Sequence, residues 1–262
     1  MSANQKIVAI VPARGGSKSI PRKNLRLLGG FPLLAYSIAA GLQSALVDRV
    51  LVSTDCPEIA GIARAFGAEV PFLRPGEISG DTATDFPVFE HALRWLEEQE
   101  GYLADFVVQL RPTSPLRPPG LVDQAIEALL GHPGADSVRG VTPSGQNPFK
   151  MWRIEQGVLH PLLQTEWPEP YNMPRQALPD TFWQTGHIEV IRQETIRDKK
   201  SLTGEVILPC MVPPEYAIDL DNLYQWDFAE HVLANWNLEV VTPEKTNHAK
   251  TLSGSWRIVP YT

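Results

Sequence analysis

The sequence predicts an α/β fold: a Rossmann-like, doubly wound, mostly parallel sheet with an inserted β-rich dimerisation element. Three observations predict it. Short β-rich apolar runs alternate with helical stretches from residue 6 to residue 142. The first run passes directly into a basic, glycine-containing loop, where open sheets of this kind bind ligands. The alternation lapses between residues 144 and 200 and resumes from 205 to 236.

Residues 6–12 (KIVAIVP) form the unbroken apolar run of a buried parallel strand, and residues 31–47 (FPLLAYSIAAGLQSALV) read as the helix that follows. RVLVSTD (49–55) precedes the helical PEIAGIARAFG (57–67). EVPFL (69–73) precedes FPVFEHALRWLEEQE (86–100), and DFVVQL (105–110) precedes GLVDQAIEALLG (120–131). DSVRGVT (136–142) is a further strand. Residues 144–200 are rich in Pro, Trp, Gln and Asn, with two candidate strands, FKMWRI and TFWQTGHIEVI. EVILPCMV (205–212), AIDLDN (217–222) and the helix YQWDFAEHVLANW (224–236) resume the pattern. The predicted organisation is an α/β domain from residues 1–143 and 201–236, an inserted dimerisation element over 144–200, and an extension over 237–262.

Composition narrows the function. The chain has 262 residues, 43% hydrophobic, enough for one sizeable core. No run reaches the roughly 18 apolar residues of a membrane span, and the first residues lack a signal-type apolar core, so the sequence reads as cytoplasmic with no membrane partner. Cys56 and Cys210 stand far apart and offer neither a zinc knuckle nor a disulfide framework. The net charge is -7, yet the first 47 residues hold six basic residues (Lys6, Arg14, Lys18, Arg22, Lys23 and Arg26) and no acid. One basic mouth on an acidic protein excludes a broad nucleic-acid surface and points to a small anionic ligand.

In VPARGGSKSIPRKN (11–24), Gly15 and Gly16 let successive backbone N–H groups curl around an anion, while Arg14 and Lys18 supply charges suited to polyphosphate. Neither a Walker loop nor a dinucleotide fingerprint is present, which excludes a nicotinamide dehydrogenase. A plain surface turn with solvated charge fits the loop equally well. In AIDLDN, Asp219 and Asp221 would share one face of a strand and hold a single hard cation, a magnesium site. Asp221 also stands where a residue capping the following helix would sit.

Taken together and in order, VPARGGSKSIPRKN, LRPTSPLR, NPFK, MPRQALP and AIDLD resemble the acylneuraminate cytidylyltransferases, the CMP-sialic acid synthetases and their relatives, over residues 6–236. The resemblance implies a fold of nucleotide-diphospho-sugar transferase type. It also implies a reaction: the anomeric hydroxyl of a 2-keto-3-deoxy sugar acid attacks the α-phosphorus of CTP, giving a CMP-sugar and pyrophosphate. By the same resemblance, Arg14, Lys23, Asp219 and Asp221 are catalytic, and the two aspartates hold Mg2+. Ala13, Gly15, Gly16, Lys18 and Asn24 join Arg14 around the nucleotide, with Arg74, Ala83 and Asp85 along the base and ribose. Lys150 and Arg175 cross into the neighbouring site of a homodimer to meet the sugar acid, and Arg111, Gln184 and His187, at positions where the chain departs from the family, would also meet it.

The chain departs from the family at several points. Arg111 replaces a usual Gln, and Gln184-Thr185-Gly186-His187-Ile188-Glu189 replaces Pro-Asn-Gly-Ala-Ile-Tyr. A guanidinium in a pocket needs an acceptor-rich partner, so Arg111 either selects an acceptor other than N-acetylneuraminate or pairs with Glu189 or another carboxylate. Asp85 replaces a small hydroxyl residue and would accept from cytosine or from guanine, which keeps GTP, or a different acidic acceptor, as an alternative. Ser19 replaces a glycine. A lone His in a strand, such as His187, is also an ordinary structural residue, as is His91 on a helix. A non-catalytic nucleotide-binding module is disfavoured by the retained Lys23 and carboxylate pair.

Overall fold

Alternate residues of the first strand, β1 (Ile7–Pro12), face opposite sides of a central sheet and are apolar on both. The computed structural model describes residues 5–244. β1 leads through a two-residue antiparallel pair, β2 (Leu27–Leu28) and β3 (Phe31–Pro32), into α1 (Leu33–Leu42). β4 (Arg49–Ser53), α2 (Pro57–Ala65), α3 (Asp85–Glu100), β5 (Phe106–Gln109), α4 (Leu121–Leu130) and β6 (Ser137–Pro143) follow. A hairpin of β7 (Trp152–Glu155) and β8 (Val158–Pro161) stands apart, and β9 (Phe182–Arg192), α5 (Gln193–Arg197), β10 (Ile207–Met211) and α6 (Leu223–Asn235) complete the order.

The six-stranded sheet runs β10-β6-β9-β5-β1-β4. All its neighbours are parallel except β9, which is antiparallel to both β5 and β6. Ile7, Ala9 and Val11 pack with Leu34 and Ile38 of α1 and with Ile126 of α4, while Val8 and Ile10 pack with Phe89, Ala92 and Leu96 of α3. Burial on both faces explains why these strands are uninterrupted apolar runs. A third cluster matters most for function. Ile20, Leu28, Leu116, Ile218 and Leu220 pack beneath Trp226, Ala229 and Val232 of α6, locking together three loops at the carboxyl edge of the sheet.

The structure corrects several sequence expectations. EVPFL is not a strand: Glu69 makes one parallel bridge to Leu51, and Pro71, having no N–H, ends the pairing. α1 stops at Leu42, and the chain beyond it is held instead by Asp123, whose carboxylate accepts from the Ser44 hydroxyl and from the Ala45 N–H at 3.1 Å. In FKMWRI the strand begins only at Trp152, because Pro148 and the Asn147 cap set a 3-10 turn through Lys150. TFWQTGHIEVI, expected within the insertion, is β9 and lies inside the main sheet. An antiparallel return needs no helical crossover, so residues 144–181 form the excursion away from the sheet. AIDLDN is irregular rather than a strand.

Of the extension, residues 237–244 pack down: Val241 is buried and its N–H donates to Arg117 O at 2.9 Å, with Leu238 and Val240 against the third cluster. The rest of the extension lies outside the described residues. Among the described residues no helix is long and apolar enough to cross a membrane.

Candidate active site

A cleft of about 470 Å3 opens at the carboxyl ends of β1 and β5. These strands are adjacent, and the chain leaves β1 toward β4 on one side and reaches β5 on the other, so the connecting loops splay apart and leave room for a ligand. Arg14, Gly16, Lys18, Lys23 and Asn24 line one wall. Arg74, Ala83 and Asp85 line a second, and Arg111 and Asp221 close the floor and far lip.

The basic loop is shaped by side chains the sequence did not single out. Gly15 donates its N–H to Asp55 Oδ1 at 2.8 Å, and a Cβ on Gly15 would lie 2.9 Å from that of Cys56, so this glycine serves close approach to the β4 loop. Ala13 is fully buried, bonded to Ser53 O at 3.0 Å. Neither lines the cleft, whereas Gly16 does. Asn24 is buried and donates to Arg14 O at 2.9 Å, which braces the loop from below. Arg14 and Lys18 both reach Asp81, at 3.0 and 2.5 Å, and Arg14 also donates to Gly80 O at 3.0 Å. These cations hold the Asp81 carboxyl below the usual carboxylate range, Lys18 most strongly.

At the far lip, Lys23 donates to Leu220 O at 2.8 Å, with Asp221 Oδ1 3.4 Å away. Asp219 lies behind the lining, half-buried, with Thr113 and the Ser114 hydroxyl (3.4 Å) donating toward it. Burial first, and the neighbouring Asp221 second, raise its carboxyl above the ordinary range. Asp221 is not the helix cap. Asn222 caps α6, accepting from the Gln225 N–H in a capping box with the Gln225 side chain, whose Oε1 also accepts from the Asp221 N–H at 2.8 Å, which leaves the carboxylates of both aspartates outside the capping scheme.

Arg111 is not an unpaired cation. Its Nη2 sits 2.7 Å from Asp85 and 3.2 Å from Glu189, and Arg139 holds the other Glu189 oxygen at 2.7 Å. Asp85 also accepts from Gln109 at 3.0 Å. Of the two readings of Arg111, an internal partnership is the one present. Gln184 is exposed outside the cleft and accepts from Arg139 at 2.9 Å. Lys150 and Arg175 lie on the exposed excursion, away from this cleft, where Arg175 donates to Ser144 O at 2.9 Å.

His187 is corrected from sugar contact to structural residue. It is fully buried; its Nε2 faces the Tyr216 carbonyl at 2.9 Å and so carries the hydrogen. Burial, assisted by nearby Arg117, pushes its pKa down to about 3. A histidine protonated near 6.5 when unfolded and neutral when folded stabilises the fold fully above that value, and less as pH falls from 6.5 toward 3. The expected slope is at most about 1.4 kcal/mol per pH unit for this one proton. Urea midpoints of wild type and His187→Gln, which keeps a donor near Tyr216, should therefore converge as pH drops through this window. A constant gap would remove the neutral-His assignment.

The sequence reading also missed Asp55, Asp81, Thr113 and Arg117. Asp55 ends a predicted strand beside the loop, a legible position; Asp81 is an isolated acid in SGDTATD with nothing local to mark it.

A family model described as cytidylyltransferase matches residues 8–153. The chain is 32% identical over 230 residues to a CMP-N,N'-diacetyllegionaminic acid synthase of Legionella pneumophila, covering 87% of this chain and 96% of that one. It is 31% identical over 233 residues to N-acylneuraminate cytidylyltransferase A of Danio rerio, covering 87% of this chain and 50% of the relative. Its fold matches a CMP:2-keto-3-deoxy-manno-octonic acid synthetase solved with CTP, with a TM-score of 0.63 at 18% identity, over 88% of this chain and 99% of that one.

Proposed function

Because this chain belongs to the cytidylyltransferase family, we propose that it activates a nine-carbon 2-keto-3-deoxy sugar acid with CTP, releasing pyrophosphate and a CMP-sugar. The observation that carries this reading is the convergence on one cleft of Arg14, Lys18, Lys23 and Asp221, from loops far apart in sequence. The legionaminic acid synthase, similar over nearly its full length, supports an acceptor of the nonulosonate class.

Catalysis of such a transfer is mostly positioning and charge stabilisation. Arg14 and Lys18 bind the β- and γ-phosphates, and Lys23, anchored on Leu220 O, meets charge developing at the α-phosphoryl group. The acceptor hydroxyl forms the new P–O bond as the bond from the α-phosphorus to the bridging oxygen breaks; pyrophosphate leaves with that electron pair, and the hydroxyl proton passes to solvent water. Asp219 and Asp221 fit a magnesium ion: one carboxylate is half-buried and raised by its neighbour, a penalty that a divalent cation relieves. Among the described residues there is no cluster of three or more His, Cys, Asp or Glu suited to a metal, so phosphate oxygens and water would complete the shell. Bound there, magnesium would neutralise phosphate charge and favour the ionised acceptor hydroxyl.

A homodimer with shared sites belongs to the same reading. Ile154 (73% exposed), Val158 (57%) and Leu159 (56%) leave the β7–β8 hairpin apolar and uncovered, a surface that calls for a partner. Lys150 and Arg175 on this excursion would then reach the partner's acceptor. A cytoplasmic location, where CTP is made, completes it.

The test is pyrophosphate release with magnesium, crossing four nucleoside triphosphates against a panel of 2-keto-3-deoxy sugar acids. Release is expected with CTP and one nine-carbon acid. Release with GTP alone would move the reading to another base.

A further inference from the structure

We propose that Asp81 is a built-in stand-in for the substrate's polyphosphate, exchanged for it on binding, so that it restrains nucleoside triphosphate affinity and leaves nucleoside monophosphate affinity unaltered. The proposal rests on the reading of Arg14 and Lys18 as phosphate ligands. One carboxylate spans both cations: Oδ1 is 3.0 Å from Arg14 Nη1 and Oδ2 is 2.5 Å from Lys18 Nζ. The adjacent Gly80 carbonyl accepts from the same Arg14 nitrogen at 3.0 Å. A phosphate oxygen seeking those donors meets an occupied site and a like charge, so it gains both cations in full by displacing Asp81.

The segment bearing Asp81 is built for exchange. Residues 80–84 are exposed, and the backbone bonds at Ile78, Ser79 and Ala83 all close onto carbonyls within residues 75–80. Gly76 and Gly80 have no neighbour within 4 Å of where a Cβ would stand. Among the described residues, the hydrogen bonds and ion pairs of Gly80 and Asp81 beyond their own segment run to Arg14 and Lys18. Each is a solvent-exposed pair, weak enough for a ligand carrying several charges to replace. A nucleoside monophosphate brings one phosphate and does not supply the β- and γ-oxygens that compete. After transfer, Asp81 can return to the cations as pyrophosphate leaves, so the same carboxylate favours release of that product.

The experiment measures CTP, CMP and inorganic tripolyphosphate binding to wild type, Asp81→Asn and Arg14→Ala by calorimetry at low ionic strength. Asp81→Asn is expected to tighten CTP and tripolyphosphate about three- to tenfold, the scale of two exposed ion pairs, and to leave CMP within about twofold. Unchanged or weaker CTP binding, or equal tightening of CMP, overturns the proposal. Arg14→Ala separates the levels: if it weakens CTP while Asp81→Asn has no effect, the stand-in fails and the phosphate loop survives. If Arg14→Ala leaves CTP binding unchanged, the loop assignment falls and the stand-in falls with it.

Discussion

Asp219→Asn should lower turnover by about a hundred- to a thousandfold while CTP affinity stays within a few-fold, the scale of deleting one preorganised electrostatic group at a reacting centre. The side chain is half-buried, faced by Thr113 and by the Ser114 hydroxyl at 3.4 Å, and its carboxyl is raised by burial and by Asp221. An amide of the same shape keeps the packing and an acceptor for Ser114 but removes the negative charge. Affinity is spared because Arg14 and Lys18, on the opposite wall, remain. The magnesium concentration for half-maximal rate should rise in the same variant. Pyrophosphate release and CTP titration on one preparation check both halves. A variant turning over at near-normal rate would leave the aspartate as a loop-bracing residue, since α6 already has its cap in Asn222 and needs neither Asp219 nor Asp221.

What the sequence made legible follows from range. β1 and the helices α2, α3 and α4 announce themselves because two-sided burial and helical periodicity are written within a few residues. The place of β9 is not local: nothing in TFWQTGHIEVI distinguishes an outlying strand from one threaded between β5 and β6. EVPFL has the right composition for a strand, and one proline decides against it. At the site, the basic wall was readable because its residues cluster in fourteen positions, VPARGGSKSIPRKN. Arg111 was readable as a departure, but its neutralisation depends on Asp85 and Glu189, distant in sequence on either side, being folded back against it. His187 and Arg117 show the same limit: strand and loop positions were plain, yet full burial of both is a property of the assembled core. Gly186 lets the two regions meet, since a Cβ there would stand 2.6 Å from Ser114 Oγ.

Arg117 gives the largest expected effect on stability. Its guanidinium is entirely buried and donates to His187 O at 2.7 Å, to Ser37 Oγ at 3.1 Å and to Arg111 O at 2.8 Å, strapping the loop after β5 to β9 and α1. Burial lowers its pKa to about 9, which leaves it charged at neutral pH. Two terms oppose each other in Arg117→Met. Removing a buried charge recovers several kcal/mol of desolvation, as replacement of buried ion pairs by apolar residues can. Against that stand the His187 carbonyl stripped of its Arg117 donor, at about 1–3 kcal/mol, the Arg111 carbonyl left with the Ser114 N–H at 3.3 Å, the lost hydrogen bonds of a charged donor, and a partly empty site. The backbone acceptors cannot be removed with the side chain, so the second set wins, and a net loss of about 3 kcal/mol is expected from urea unfolding. Arg117→Lys keeps the charge but cannot point at three acceptors in fixed directions, and should lose most of the same stability. A lysine variant as stable as wild type would make charge rather than the fork the stabilising feature. A methionine variant as stable as wild type would mean that the cost of burying the guanidinium cancels everything its three bonds contribute. Where the loss is as expected, activity falls further than the folded fraction explains, because Arg111, Thr113 and Ser114 ride on the loop that Arg117 holds.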